Sequence, residues 1–161
     1  MTAIQFNISK GREVEFYNRV DTNDPANSAL VMMILAAGSA DGVYGLRDFD
    51  TFAAILAGGY TEATNTNYAR KVLTDANLSA FTVDDTNNWI LLTLPLQSWT
   101  NVGSGSVWDL VVVGYDNDTT GGTDANIVPI TGAETRQNGT ALVPASSDEV
   151  VDYSLGWITA T

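Results

Sequence analysis

The 161-residue chain has no histidine and no cysteine, and it carries seven basic side chains against nineteen acidic ones. Each absence excludes chemistry. Without His, no imidazole titrates near neutrality, which removes a Ser-His-Asp triad and a Cys-His pair. Without Cys or His, a Cys/His zinc centre and a CxxC redox pair are excluded as well. What remains is carboxylates, hydroxyls and a few cations. The expectation is a protein that is not an enzyme, needs no cofactor and works through its surface.

Positive charge is scarcer still in the second half. Residues 72–161 hold eleven acids and one base, Arg136, whereas residues 1–71 hold eight acids and six bases. A chain of formal charge −12 repels phosphate backbones, so no nucleic-acid partner is expected, and anionic membranes are disfavoured for the same reason. Long apolar runs are missing too. The longest, residues 29–37, falls well short of the roughly 20 residues a membrane helix needs, so it reads as a buried strand. Residues 1–6 lack a basic stretch leading into an apolar one, so no leader is expected and synthesis in the cytoplasm follows. Asn-x-Ser/Thr triplets at Asn7, Asn77, Asn117 and Asn138 then read as chance in a Thr/Asn-rich chain.

What is present is core material. Hydrophobic residues make up 45% of the chain, with four Trp, six Tyr and five Phe, which excludes disorder. The length points to a single β-rich domain over residues 1–161. Alternation at 3–8 predicts a half-buried strand. Ser9 is then placed to cap a short helix through Val14, Phe16, Tyr17 and Val20, although Gly11 weakens it and an extended arm over residues 1–25 competes. Residues 30–35, apolar on both faces, predict a central strand. Residues 46–56, with Leu46, Phe49, Phe52, Ala53 and Leu56 on one face, predict the best helix, ended by Gly58-Gly59.

Beyond a Thr/Asn-rich linker the pattern is β. Strands are predicted at 68–73, 81–83, 89–94, 107–113 and 150–158, with a hairpin between 81–83 and 89–94. Pro129 assigns the short segment 127–130 to a sheet edge. The predicted fold is mainly β with one or two short helices, a β-sandwich or a partly open barrel.

Three groups of residues suggest chemistry. Asp116, Asp118 and Asp124, with Gly121 for the bend, resemble the start of a calcium loop. Thr120 stands where Asp or Asn is usual and Ile127 where a bidentate Glu is required, so an acidic solvated turn is preferred and no metal is assigned. Asp84 and Asp85 are adjacent, and adjacent residues on an extended chain face opposite ways, which suits a turn better than paired catalytic carboxylates. Of the four Trp, Trp89 and Trp108 begin strands and belong to a core. Trp99, in a Ser/Thr/Asn/Gly-rich stretch, is the candidate interface aromatic. Residues 103–106 are Gly/Ser-rich but lack the context of a phosphate-binding loop.

Several phrases are more specific. Ser9-Lys10-Gly11-Arg12 through Tyr17-Asn18-Arg19-Val20, Asn23-Asp24-Pro25-Ala26-Asn27-Ser28-Ala29-Leu30, Asn67-Tyr68-Ala69-Arg70-Lys71 and Tyr115-Asp116-Asn117-Asp118-Thr119-Thr120-Gly121-Gly122 stand together with Asp84-Asp85-Thr86-Asn87. Over residues 9–130 the chain resembles small virion proteins of tailed bacteriophages, of the capsid decoration or cement type. The resemblance implies a homo-oligomer, with a trimer at local threefold positions of the shell as one form. It also implies the major capsid protein as partner, and the capsid exterior as location. With charge asymmetry added, Lys10, Arg12 and Arg19 become the candidate capsid contacts. A carbohydrate- or receptor-binding β module of a phage tail and a head–tail completion protein are the alternatives.

Overall fold

Residues 29–36 are covered on both sides, and that decides the architecture. The computed structural model describes residues 2–38, 42–86, 88–135, 140–151 and 157–160. In chain order these form β1 (Ala3–Gln5), α1 (Glu13–Asp21), β2 (Ala29–Ala36), α2 (Phe52–Ala57), β3 (Lys71–Leu73), β4 (Thr82–Asp84), β5 (Trp89–Leu92), β6 (Gln97–Val102), β7 (Trp108–Asp116), β8 (Val128–Glu134), β9 (Ser147–Val151) and β10 (Trp157–Ala160). Short 3₁₀ turns lie at Asn7–Ser9, Val43–Asp48 and Asp75–Asn77.

The main sheet runs β1-β8-β7-β2-β3, antiparallel at every pairing. Because side chains alternate along a strand, β2 feeds two cores. Leu30, Met32 and Ile34 join Val111, Val113 and Tyr115 of β7 on one face. Phe16, Tyr17 and Val20 of α1 cover that face, together with Leu92, Trp99, Val102 and Val151 from the smaller strands. Val31, Met33 and Leu35 join Leu110 and Val112 on the other face, under Val43, Leu46, Phe52, Ile55 and Tyr60. The smaller strands form a β10-β5-β4 sheet and a β6-β9 pair. The fold is mainly β and sandwich-like, and among the described residues the sheets do not close into a barrel. The expected hairpin is present, as Thr82, Val83 and Asp84 pair with Leu91, Ile90 and Trp89.

Several local expectations are corrected. The helix expected over 46–56 is split. Its first half is the 3₁₀ turn, Phe49 is extended, and Thr51 caps α2 by accepting from the Ala54 amide at 3.1 Å. A Thr placed to cap restarts the chain as a new, shorter helix. Ser9 does not cap α1. Its hydroxyl donates to the Phe6 and Ile130 carbonyls, both at 3.1 Å, and Gly11 at φ +78° turns the chain so that the helix starts at Glu13. Ile4, Phe6, Phe16, Tyr17 and Val20 are buried, so this segment is strand and helix and not an arm.

The strand expected at 68–73 is confined to 71–73, because Tyr68 and Arg70 turn into a polar network. Pro129 belongs to β8, which lies inside the sheet. It faces Gly114 at a register shift, beyond the stretch 131–133 that pairs with β1, so no hydrogen bond is asked of it there. The single strand expected at 150–158 is two strands in different sheets. Residues 152–156, Arg136 and Asn138 lie outside the described residues, as do the side chains of Trp89 and Trp157.

Candidate binding surface

Helix α1 turns Phe16, Tyr17 and Val20 inward and leaves Glu15 and Arg19 on its outer face, with Arg12 just before its first turn. Spacings of three and four residues bring these three charged side chains together. Arg12 donates to Glu15 through Nε to Oε2 at 3.1 Å and through Nη2 to Oε1 at 3.4 Å. Arg19 donates its Nε to Glu15 Oε1 at 2.9 Å. The Arg12 hydrogen bond, with that of Arg19 behind it, holds the Glu15 carboxyl below its ordinary range. Both arginine side chains remain about half exposed, at 49% and 45%.

Under them lies an aromatic floor. The Arg12 guanidinium sits 4.4 Å from the centre of the Phe16 ring, and Phe16 stacks on Tyr115 of β7 at 4.7 Å and 17°. Tyr115 is buried, with its hydroxyl against the Arg19 guanidinium. Burial pushes its phenol pKa up, and the neighbouring Arg19 guanidinium opposes that shift. An open cleft of about 470 Å³ forms here, between the two arginines and Pro25, Asn117, Asn126 and Val128.

No family model, curated protein or solved structure matches this chain.

The sequence candidates fare differently. Arg12 and Arg19 meet at one cleft. Lys10 is exposed on the preceding turn and its ammonium bonds the Asn7 side chain, away from the cleft lining. Trp99 is corrected outright. It lies in β6 at 2% exposure, donates its indole N–H to the Ala69 carbonyl at 2.7 Å and packs edge-on against Trp108 at 5.2 Å. It is core and not a contact residue. Trp108 is buried as expected, its N–H bonded to Asn65 Oδ1 at 2.9 Å.

The acidic loop spends its carboxylates locally. Asp116 accepts from the Asp118 amide, and Asp118 from the Thr120 amide and hydroxyl. Asp124 pairs with Arg70, which also grips Glu62. Among the described residues, no group of three or more acidic side chains is placed to hold a metal ion. Asp84 accepts from the Thr86 amide at 2.9 Å, a turn contact.

Tyr115, Asn117 and Asn126 were not singled out from sequence as partners of the arginines. Helical spacing alone places Arg12, Glu15 and Arg19 on one face. The stacking of Phe16 on Tyr115 joins positions nearly a hundred residues apart and leaves no local signal.

Proposed function

We propose that this chain is a capsid decoration protein of a tailed bacteriophage. It binds the outside of the head across neighbouring major capsid subunits and opposes rupture of the shell. The reading rests on the phrases over residues 9–130. The structural observation that supports it most is the Arg12–Arg19 pair, two half-exposed cations fixed on a helix docked into the core of a strongly acidic protein. Such a face docks without first being ordered, which lowers the cost of association. Many copies act together, so modest affinity per contact suffices. Exposed Val72, Val83, Leu96, Val143 and Val150 supply apolar area for contacts between copies in a homo-oligomer.

Co-sedimentation with purified shells tests the reading. The wild-type chain is expected to pellet with shells at on the order of hundreds of copies per particle, and Arg12→Glu/Arg19→Glu to bind at least tenfold more weakly, by roughly the loss of two charge-assisted contacts. Absence of the chain from particles, or turnover of a substrate by the purified protein, would overturn it. A copy number of about six or twelve, set by ring symmetry, would place the protein at the head–tail connection instead.

A further inference from the structure

We propose that the cleft beside Arg12 and Arg19 is a carboxylate clamp, and that its ligand is an acidic side chain on an extended peptide segment of the partner. This deepens the capsid-binding reading and rests on it for the identity of the partner.

The cleft is rich in donors. Arg12 and Arg19 present guanidinium N–H groups beyond those that Glu15 uses. The side-chain amides of Asn117 and Asn126 are exposed at the rim and make no hydrogen bond among the described residues. The buried Tyr115 hydroxyl lies against the Arg19 guanidinium and helps to hold it at the cleft. Glu15 already shows that the two arginines grip a carboxylate at 2.9–3.4 Å. Glu15 faces the two cations at the opening and the buried Asp116 carboxylate faces Tyr115 from behind, so it is the guanidinium N–H groups left unused on the open side that a second carboxylate would take.

Other ligands fit less well. Phe16 and Tyr115 are 2% and 5% exposed, and Arg12 covers the Phe16 ring, so no aromatic face is open for a sugar to stack on. A nucleic-acid backbone needs a run of cations, and this chain has a net charge of −12. A peptide matches what is exposed: guanidiniums for its carboxylate, asparagine amides for its backbone, and Pro25 and Val128 for its apolar atoms.

The test is an NMR titration of the full chain with acetyl-Gly-Glu-Gly-amide and its Gln counterpart at low salt. The Glu peptide is expected to give saturable shifts at Arg12, Arg19, Asn117 and Asn126, with the Gln peptide at least tenfold weaker. Arg19→Gln is expected to lose at least tenfold. Glu15→Gln removes the internal competitor and is expected to bind the Glu peptide several-fold more tightly, which a merely structural Glu15 would not produce. Retention of the wild-type amide spectrum checks that each variant is folded. Equal shifts from the Gln peptide, equal displacement by sulfate, or no gain with Glu15→Gln would overturn the clamp. Shell binding that persists without peptide binding removes the clamp alone. Peptide binding without shell binding removes the decoration role alone.

Discussion

Gly114 lies in the middle of β7, where glycine is ordinarily a weak choice. A Cβ there would come within 2.6 Å of Phe52 Cε1 and 2.8 Å of Ile127 Cγ2. Gly114→Ala must push α2 or the start of β8 away from the sheet, and a cost of about 1–3 kcal/mol is expected from overpacking. Urea unfolding followed by Trp fluorescence measures it. A variant as stable as wild type would mean that Phe52 has room to move. Trp108 makes the opposite case. Trp108→Phe leaves space in the core and strips Asn65 Oδ1 of its indole donor, while the Asn65 amide still holds Gly103 and Ser106 carbonyls. About 2–4 kcal/mol is expected from the cavity and the unpaired acceptor together, by the same unfolding assay. Trp108 was legible because it opens a β-branched run. Trp99 was not, because Gln97, Ser98, Thr100 and Asn101 around it hide a period-two pattern in which positions 97 and 99 point inward.

Elements are joined by polar clasps that periodicity does not reveal. Arg70 bonds Glu62 at 2.7 Å and pairs with Asp124, and Tyr68 bridges the Ile34 amide and Glu62 Oε1. The Asp124 carbonyl also accepts from the Ala53 amide at 3.0 Å. Three segments meet here: the stretch after α2, the entry to β3 and the β7–β8 loop. The Arg70 hydrogen bond holds the Asp124 carboxyl below its ordinary value, against a smaller opposing effect of burial. A depressed folded-state pKa gives stability that is present above the unfolded value of about 3.9 and is lost as pH falls through the folded value. Asp124→Asn is therefore expected to be less stable than wild type at pH 6, and the gap should close on acidification below pH ~3.9. Urea midpoints across that range decide it, and a gap independent of pH would assign the cost to packing. Arg70→Met is expected to cost about 1–3 kcal/mol, below the figure for a fully buried pair because these side chains are 23–32% exposed. The strand pattern of the central sheet was readable from residues 30–35 and 107–113. The 46–56 helix was misread because Leu46, Phe49, Phe52 and Leu56 keep helical spacing across a break that Thr51 imposes by capping.

Across the whole molecule, charge and open strand edges pull against each other. Exposed Val72, Val83 and Val150 lie on β3, β4 and β9, each at the end of its sheet order among the described strands. Unpaired edges with apolar side chains invite contact with another copy, while a charge of −12 on every copy resists it. In the decoration reading the two effects have opposite salt dependence. Salt screens the repulsion between like-charged copies, so self-association should tighten as ionic strength rises toward about 0.15 M. The Arg12–Arg19 contact with the shell is attractive and local, so salt should weaken it over the same range. Sedimentation velocity on the free chain and co-sedimentation with shells, run at matched salt, read the two slopes separately. Val83→Lys and Val150→Lys are expected to reduce self-association and leave the shell contact of the Arg face in place. If both variants associate as the wild type does, the small sheets are not where copies meet, and the valines are ordinary surface residues.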